Sequence, residues 1–245
     1  MTGLLYKYQL MVKWQALSSK TILPIGLVVQ LMIAVGFVIG LGFLYPSITP
    51  NIAKFLPTGA PVISLLMVGL VLVPQMVASS KTEGTFDYIW SLPVPRMVYV
   101  AADATIWLLV ALPGVILSLI LGAAYYHFGL HISWLVIPAM ALISISGIFL
   151  GYSIAHGVPD PKITQLITQI FVFFIMIFSP IMFPLEQLPS WLATVHKFLP
   201  IKYMADLSRG TLTDLNVNLG LAFAVVGAWC LLGLIVTCML VRRRR

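Results

Sequence analysis

The sequence predicts an all-α polytopic membrane protein, with six transmembrane helices, an N-terminal interfacial helix and outer re-entrant helices between spans five and six. Composition, the spacing of charges and the sidedness of the basic residues lead to that prediction. Hydrophobic residues make up 60% of the 245 and charged residues only 9%, far from the balance of a soluble domain. A helix needs about 20 apolar residues to cross roughly 30 Å of hydrocarbon. The chain therefore suits one bundle and is read as a single transmembrane domain, residues 1–245.

Uncharged intervals give the number of spans. They cover residues 21–53, 55–80, 104–159, 163–185 and 215–241. The third is 56 residues long, more than twice what one span requires, so it holds two. Its middle, residues 125–134, carries His127, Gly129 and His131 among aromatics, as a turn at the lipid interface would. The expected spans are 22–44, 62–78, 104–124, 133–156, 163–183 and 217–241. An even number places both termini on one side. Lys7, Lys13, Lys20, Lys81, Arg96, Lys162 and the four terminal arginines from Arg242 to Arg245 put ten basic residues there, against Lys54, Lys197, Lys202 and Arg209 opposite. By the positive-inside rule the side with ten is cytoplasmic. Membrane orientation, not a nucleic-acid partner, accounts for the formal net charge of +7.

Residues 1–20 mix Leu4, Leu5, Leu10, Met11 and Val12 with Tyr6, Tyr8, Trp14 and three lysines, a composition suited to the headgroup layer. Their apolar residues do not segregate onto one face, and the alternative is a disordered leader. No compact apolar core with a small-residue cleavage site precedes residue 20, so Ile22 onward is expected to act as the first anchor. Gly36 with Gly40, and Gly147 with Gly151, are small-xxx-small pairs that allow helices to approach closely, most simply within the chain.

Residues 79–103 form the charged interruption between spans two and three and hold Glu83, Asp87 and Asp103, three of the seven acids. Residues 82–90 suit a short helix capped by Thr82, with Glu83 near its positive end; Pro93 and Pro95 stop it. Asp103 falls at the cytoplasmic edge of span three and is expected to pair with Arg96 or Lys81 among the headgroups. His127 and His131 lack a third ligand nearby, so no metal site is expected. Pro180 interrupts span five near its outer end. Pro184 and Pro189 punctuate the segment beyond it, and Ser190 is expected to cap a helix over residues 191–199 that Pro200 stops. Trp191, Leu192, Val195 and Phe198 recur at helical spacing, so one face is expected to sink into the outer leaflet, making residues 180–200 a re-entrant cap. Cys230 and Cys238, eight residues apart on one helix, are too far apart along its axis for a disulfide.

Two stretches resemble the membrane-spanning subunit of the type-2 ABC exporter family. Phe178 to Leu192 reads FSP-x-x-FP-x-x-x-LP-x-WL and Pro200 to Gly210 reads P-x-x-Y-x-x-D-x-x-RG, similar to that family's segment between its last two spans. Glu83-Gly84-Thr85 followed by SLPVPR at residues 91–96 resembles its first cytoplasmic loop. The resemblance covers nearly the whole chain. It implies a permease subunit that dimerises with a second copy or paralogue and binds two cytoplasmic ABC ATPases, with ATP and magnesium on those partners. The chain itself has no G-x-x-x-x-G-K-[ST] loop, so it is expected to bind no cofactor and to be no enzyme on its own.

By the same resemblance, Thr82, Glu83, Gly84, Thr85, Phe86, Asp87 and Tyr88 form the helix that couples to the ATPase, with a smaller docking point at residues 157–162. Met67, Gln75, Gln165, Gln169, Phe173 and Met176, on spans two and five, line the substrate pathway. Gln165 and Gln169, four apart on one helix face, suit interhelical hydrogen bonding in a dimer equally well. Pro180, Phe183, Pro184, Leu188, Pro189 and Trp191 form the outer gate. Lys54 and Glu186 lie near the outer boundary, and the lack of deep charges argues against a secondary transporter or ion pump. The expected function is ATP-driven export of a hydrophobic or amphipathic, drug- or lipid-like substrate across a prokaryotic inner membrane. A lipid-linked polysaccharide or glycolipid is the alternative cargo, with Phe171, Phe173, Phe174 and Phe178 along its path or facing lipid. A non-transporting membrane anchor for a cytoplasmic partner is the reading from a different class.

Overall fold

A computed structural model describes residues 2–45, 50–127, 129–158 and 160–243. Among these residues the fold is entirely helical, and six helices are long and apolar enough to cross a membrane: Ile22–Phe43, Ile52–Thr82, Arg96–Tyr126, Val136–Gly157, Pro161–Phe178 and Leu219–Val241. Span two is 67% buried within the chain over its most apolar stretch, whereas spans one, five and six are 22%, 17% and 17% buried. Span two is therefore the central helix, and the other three present much of their surface to whatever surrounds the chain.

In chain order, α1 is Thr2–Ser18 and α2 is Ile22–Val35, which runs on through a π-helical turn at Gly36–Gly40. Span two comprises α3 (Pro50–Met67), a second π-helical turn (Val68–Leu72) and α4 (Val73–Thr82). It begins about ten residues before the expected start because Pro57 and Pro61 lie inside α3 rather than ahead of it. Hydroxyl groups cover the neighbouring backbone there: Thr58 Oγ1 donates to the Lys54 carbonyl at 2.6 Å, and Ser208 Oγ donates to the Thr58 carbonyl at 2.6 Å. Such substitutes are what allow proline inside a membrane helix.

The helix expected at 82–90 is displaced. Thr82 ends α4, its hydroxyl donating to Ser79 O at 2.8 Å, and Glu83 closes that helix through its backbone N–H. Gly84 then turns the chain with φ of +72°, a left-handed conformation that glycine adopts without strain. The short helix α5 starts only at Thr85 and runs to Ser91. Thr82 is thus no N-cap, and the Glu-Gly-Thr sequence is the turn between two helices.

Span three, α6 (Arg96–Tyr126), starts directly after Pro95 and packs on α1, α2 and α3; α7 (Val136–Gly157) packs on span two and on α11 (Leu219–Arg243). At the head of α8 (Pro161–Phe178), the Asp160 carboxylate accepts from the N–H groups of Lys162 and Ile163 at 2.7 and 3.4 Å, and Pro161 occupies the first helical position. Span five ends five residues earlier than expected. Ser179, preceding Pro180, is extended with ψ of 138°, as the residue before a proline tends to be.

Beyond it, α9 covers Ser190–His196 and α10 covers Pro200–Leu212. No side-chain cap forms at the start of α9, where Pro189 holds the capping position instead of Ser190, and Pro200 opens α10 rather than only stopping its predecessor. Of the face expected to sink, Leu192 packs inward while Trp191, Val195 and Phe198 are exposed. The Trp229 indole donates to the Phe198 carbonyl at 3.1 Å, ten residues along α11 from Leu219, so the α9–α10 corner sits roughly 15 Å down that helix. Pro159 of the 157–162 turn, Phe128 of the 125–134 turn, and Arg244 and Arg245 lie outside the described residues.

Gly147 and Gly151 do bring helices together, and their partner is Gly69 in the π-helical turn of span two. Among the described residues, Gly36 and Gly40 have no atoms of other helices close enough to meet a Cβ. The two sequence-similar pairs therefore differ: one is packed within the chain and the other is open.

Candidate functional site

One end of the bundle gathers α1, α5 and the ends of four spans. Lys7 Nζ donates to Pro93 O at 3.0 Å, Lys81 to the carbonyls of Ala155 and Val158, and Arg96 to the Val241 carbonyl. The basic residues that set the predicted orientation thus also tie the helix ends together.

On this platform α5 is amphipathic. Phe86 and Ile89 are buried, while Glu83, Gly84, Asp87 and Tyr88 are exposed, Tyr88 at 60%. Phe86 stacks on Trp90 with ring centroids 4.2 Å apart and lies 5.8 Å from His156; Trp90 meets Tyr99 edge-on at 5.6 Å and carries the Arg96 guanidinium 5.7 Å from its ring centre. Each such aromatic pair contributes about 0.5–1.5 kcal/mol beyond its buried area. The helix is therefore keyed into spans three and four by its inner face. Of the seven predicted coupling residues, Phe86 is an internal anchor and Thr85 is half-buried; Thr82, Glu83, Gly84, Asp87 and Tyr88 form the outer surface.

Asp103 is buried among neutral hydrogen-bond donors. It lies seven residues into α6, roughly 10 Å along its axis, and is 6% exposed. Its carboxylate accepts hydrogen bonds from Gln15 Nε2 of α1, from Tyr152 OH of α7 and from Trp107 Nε1 at 3.1 Å. Neither expected partner reaches it, because Arg96 and Lys81 bond to backbone carbonyls on other helices. Sequence reasoning passed over Gln15, Trp107, Tyr152 and His156. The available signal was spacing: Asp103 with Trp107 and Tyr152 with His156 are polar pairs four apart on otherwise apolar helices.

The predicted pathway residues on α8 face away from the chain's own bundle. Thr164, Thr168 and Ile175 pack inward, while Gln165, Gln169 and Phe173 are exposed and Met176 is half-buried. Met67 and Gln75 are half-buried on span two, against which α8 packs.

At the opposite end, the predicted gate residues hang on α10. Pro180 is buried, Phe183, Pro184 and Leu188 are half-buried, and Pro189 and Trp191 are exposed. Arg209, 4% exposed, donates to Pro180 O at 3.1 Å and to Ile181 O, with its guanidinium 4.0 Å from the Phe55 ring centre. Asp206 lies 3.7 Å from Arg209 and 3.1 Å from Lys202, and Tyr203 OH donates to Lys197 O at 2.8 Å. Burial pushes the Arg209 guanidinium down to about 10, opposed by Asp206, so it stays charged at neutral pH. Lys54, 2.5 Å from Asp214, holds that carboxyl below its ordinary range. The P-x-x-Y-x-x-D-x-x-RG sequence is thus a structural clamp: Pro200 starts the helix, Tyr203 and Asp206 fix its surroundings, and Arg209 grips the chain leaving span five.

His196 is fully buried and donates from Nε2 to Phe178 O at 2.8 Å. Burial holds its protonation below the ordinary 6.5, against the opposing effect of that bond. The folded state therefore binds fewer protons than the unfolded one, and the stability due to neutral His196, present above about pH 6.5, is lost as the pH falls below it. The thermal unfolding midpoint is expected to drop between about pH 7.5 and about pH 5.5. His196→Gln, which keeps a donor without a titratable ring, is expected to flatten that drop; an unchanged slope refutes the assignment.

A sequence-family comparison now bears on this arrangement. The family described as ABC-2 type transporter matches residues 3–213, from α1 through α10. The chain belongs to this family. No curated protein sequence matched it. As an ABC-2 type protein it is the membrane-spanning permease component of an ABC system, not the ATPase, and its six apolar helices make it a multi-pass membrane protein that associates with ABC ATPase partners.

Proposed function

We propose that this permease is half of an ATP-driven exporter, moving a hydrophobic or amphipathic substrate out of the cytoplasm or inner leaflet of a prokaryotic inner membrane. The observation that carries the reading is the α4–α5 corner: an exposed surface of Glu83, which ends α4, with Asp87 and Tyr88 on α5, a helix anchored through Phe86 to span four and through Trp90 to span three. Two ABC ATPases, holding ATP and magnesium, dock on that surface in a permease dimer with both termini cytoplasmic. The outward face of α8, with Gln165, Gln169 and Phe173, supports a path shared between two copies. The segment from Pro180 to Trp191 then acts as the outer gate. ATPase closure drives transport only by contacting the two permease states differently, and α5 is where that difference is applied.

The test is co-expression with the ATPase encoded beside this chain, followed by ATP hydrolysis in lipid. The intact pair is expected to co-purify. Glu83→Lys with Asp87→Lys is expected to weaken the complex at least about tenfold, since like charges brought face to face across an interface cost several kcal/mol. Equal recovery of both complexes removes α5 from the docking role.

A further inference from the structure

A cavity of about 260 Å³ lies between α1, α4 and α6, next to α5. We propose that it binds an organic ammonium headgroup, and, resting on the exporter reading above, that cationic amphiphiles are the substrate class. The charged residues lining the cavity are Asp103 and Glu83; among the described residues no lysine or arginine lines it, although the chain has 14 basic residues and 7 acidic ones. The Asp103 carboxylate has only neutral donors around it, namely Gln15, Trp107 and Tyr152. Hydrogen bonds orient a buried carboxylate but leave its charge uncompensated, and in a membrane protein that charge favours a cationic partner.

The walls match the same ligand. Trp14, Tyr99 and Trp107 line the cavity, and aromatic faces attract ammonium groups. Two carboxylates repel a phosphate or sulfonate headgroup. The volume lies just below the range of roughly 300–1,000 Å³ typical of sites that enclose a whole drug. The cavity therefore takes a head of one amine and a small aromatic or alkyl group. Ile22, the first residue of span one, lines the cavity and is itself exposed, which lets a tail remain in the bilayer.

Equilibrium binding of radiolabelled benzyltrimethylammonium to the purified permease in lipid nanodiscs tests the proposal without the ATPase. Saturable binding near one per chain is expected, with no competition from benzenesulfonate. Asp103→Asn keeps the side-chain shape and is expected to weaken binding about thirtyfold or more, the loss typical of removing one charge of a buried pair. Ser19→Phe adds a ring to the cavity wall while leaving Asp103 itself unchanged, and carries the test if Asp103→Asn fails to fold; it too is expected to abolish saturable binding. Equal affinity in a folded Asp103→Asn or in Ser19→Phe, or equal binding of benzenesulfonate, overturns the proposal. Co-purification with the ATPase is scored separately, on the same variants co-expressed with it. An assembled complex that does not bind the ammonium refutes this site and leaves the permease function standing, whereas ammonium binding without ATPase assembly supports the site and counts against the docking reading.

Discussion

Arg209→Ala is expected to unfold the outer end of the permease, at a cost of about 3–5 kcal/mol. Three losses combine. The carbonyls of Pro180 and Ile181 lose their buried donor, Asp206 keeps only Lys202 as a cationic neighbour, and the Phe55 ring loses the guanidinium stacked over it. Unsatisfied buried acceptors cost about 1–3 kcal/mol each, and the weakened Asp206 pairing and lost ring contact add to the two carbonyls. Against a total stability of about 5–15 kcal/mol this is a large fraction. Arg209→Lys is expected to recover only part of it, because an ammonium has no planar group that lies over the Phe55 ring while Nη2 serves both carbonyls and Nη1 faces Asp206. Thermal unfolding in detergent, with limited proteolysis between Phe178 and Pro200, measures both variants. Cleavage is expected to appear there first; wild-type protection in Arg209→Ala would show that α10 does not hold the gate segment.

The same arginine shows what could be read from sequence and what could not. Its spacing after Pro200, Tyr203 and Asp206 was visible as a motif, and the motif led to the family, but no pattern along the chain says that its guanidinium reaches back 29 residues to the Pro180 carbonyl. The six apolar runs were legible because hydrocarbon thickness fixes their length. Their ends were less so. Pro57 and Pro61 precede the expected start of span two at residue 62 but sit within α3, whose nearby carbonyls are met by the hydroxyls of Thr58 and Ser208. Asp103 was expected to pair with Arg96 or Lys81, cations of its own loop, whereas its actual partners, Gln15 and Tyr152, lie 88 and 49 residues away. Glu83 and Asp87 were expected on one helix over residues 82–90, but the turn at Gly84 puts them on different elements: Glu83 ends one helix and Asp87 is in the first turn of the next.

Gly151→Leu is expected to be comparably disruptive, for steric rather than electrostatic reasons. A Cβ at Gly151 would run into the Gly69 carbonyl oxygen and come within 3.1 Å of Pro74 Cδ; one at Gly69 would lie 2.7 Å from Ile148 N and 2.8 Å from Gly147 Cα. Spans two and four thus touch backbone to backbone, and the obstacle is main chain, which cannot rotate away as a side chain can. Overpacking a close contact costs about 1–3 kcal/mol, more where nothing yields. Gly151→Ala, whose Cβ already meets that carbonyl, is expected at or above the upper figure and Gly151→Leu further above it, seen as a falling unfolding midpoint across the series. Gly36→Ala is the control. Among the described residues nothing lies within 4 Å of that Cβ position, so the change is expected to be neutral or slightly stabilising in the isolated chain. Connectivity gives the glycine contact a functional consequence: span two continues through α4 and the Gly84 turn into α5, while span four supplies His156 and the Ala155 carbonyl to the α5 platform. Forcing the two spans apart at Gly69 therefore displaces the docking helix relative to the socket that anchors it. Among Gly151→Ala molecules that still fold, ATPase-coupled transport is expected to fall more than ATPase binding, and an equal fall in both would show that the Gly69–Gly151 contact maintains stability without setting the position of α5.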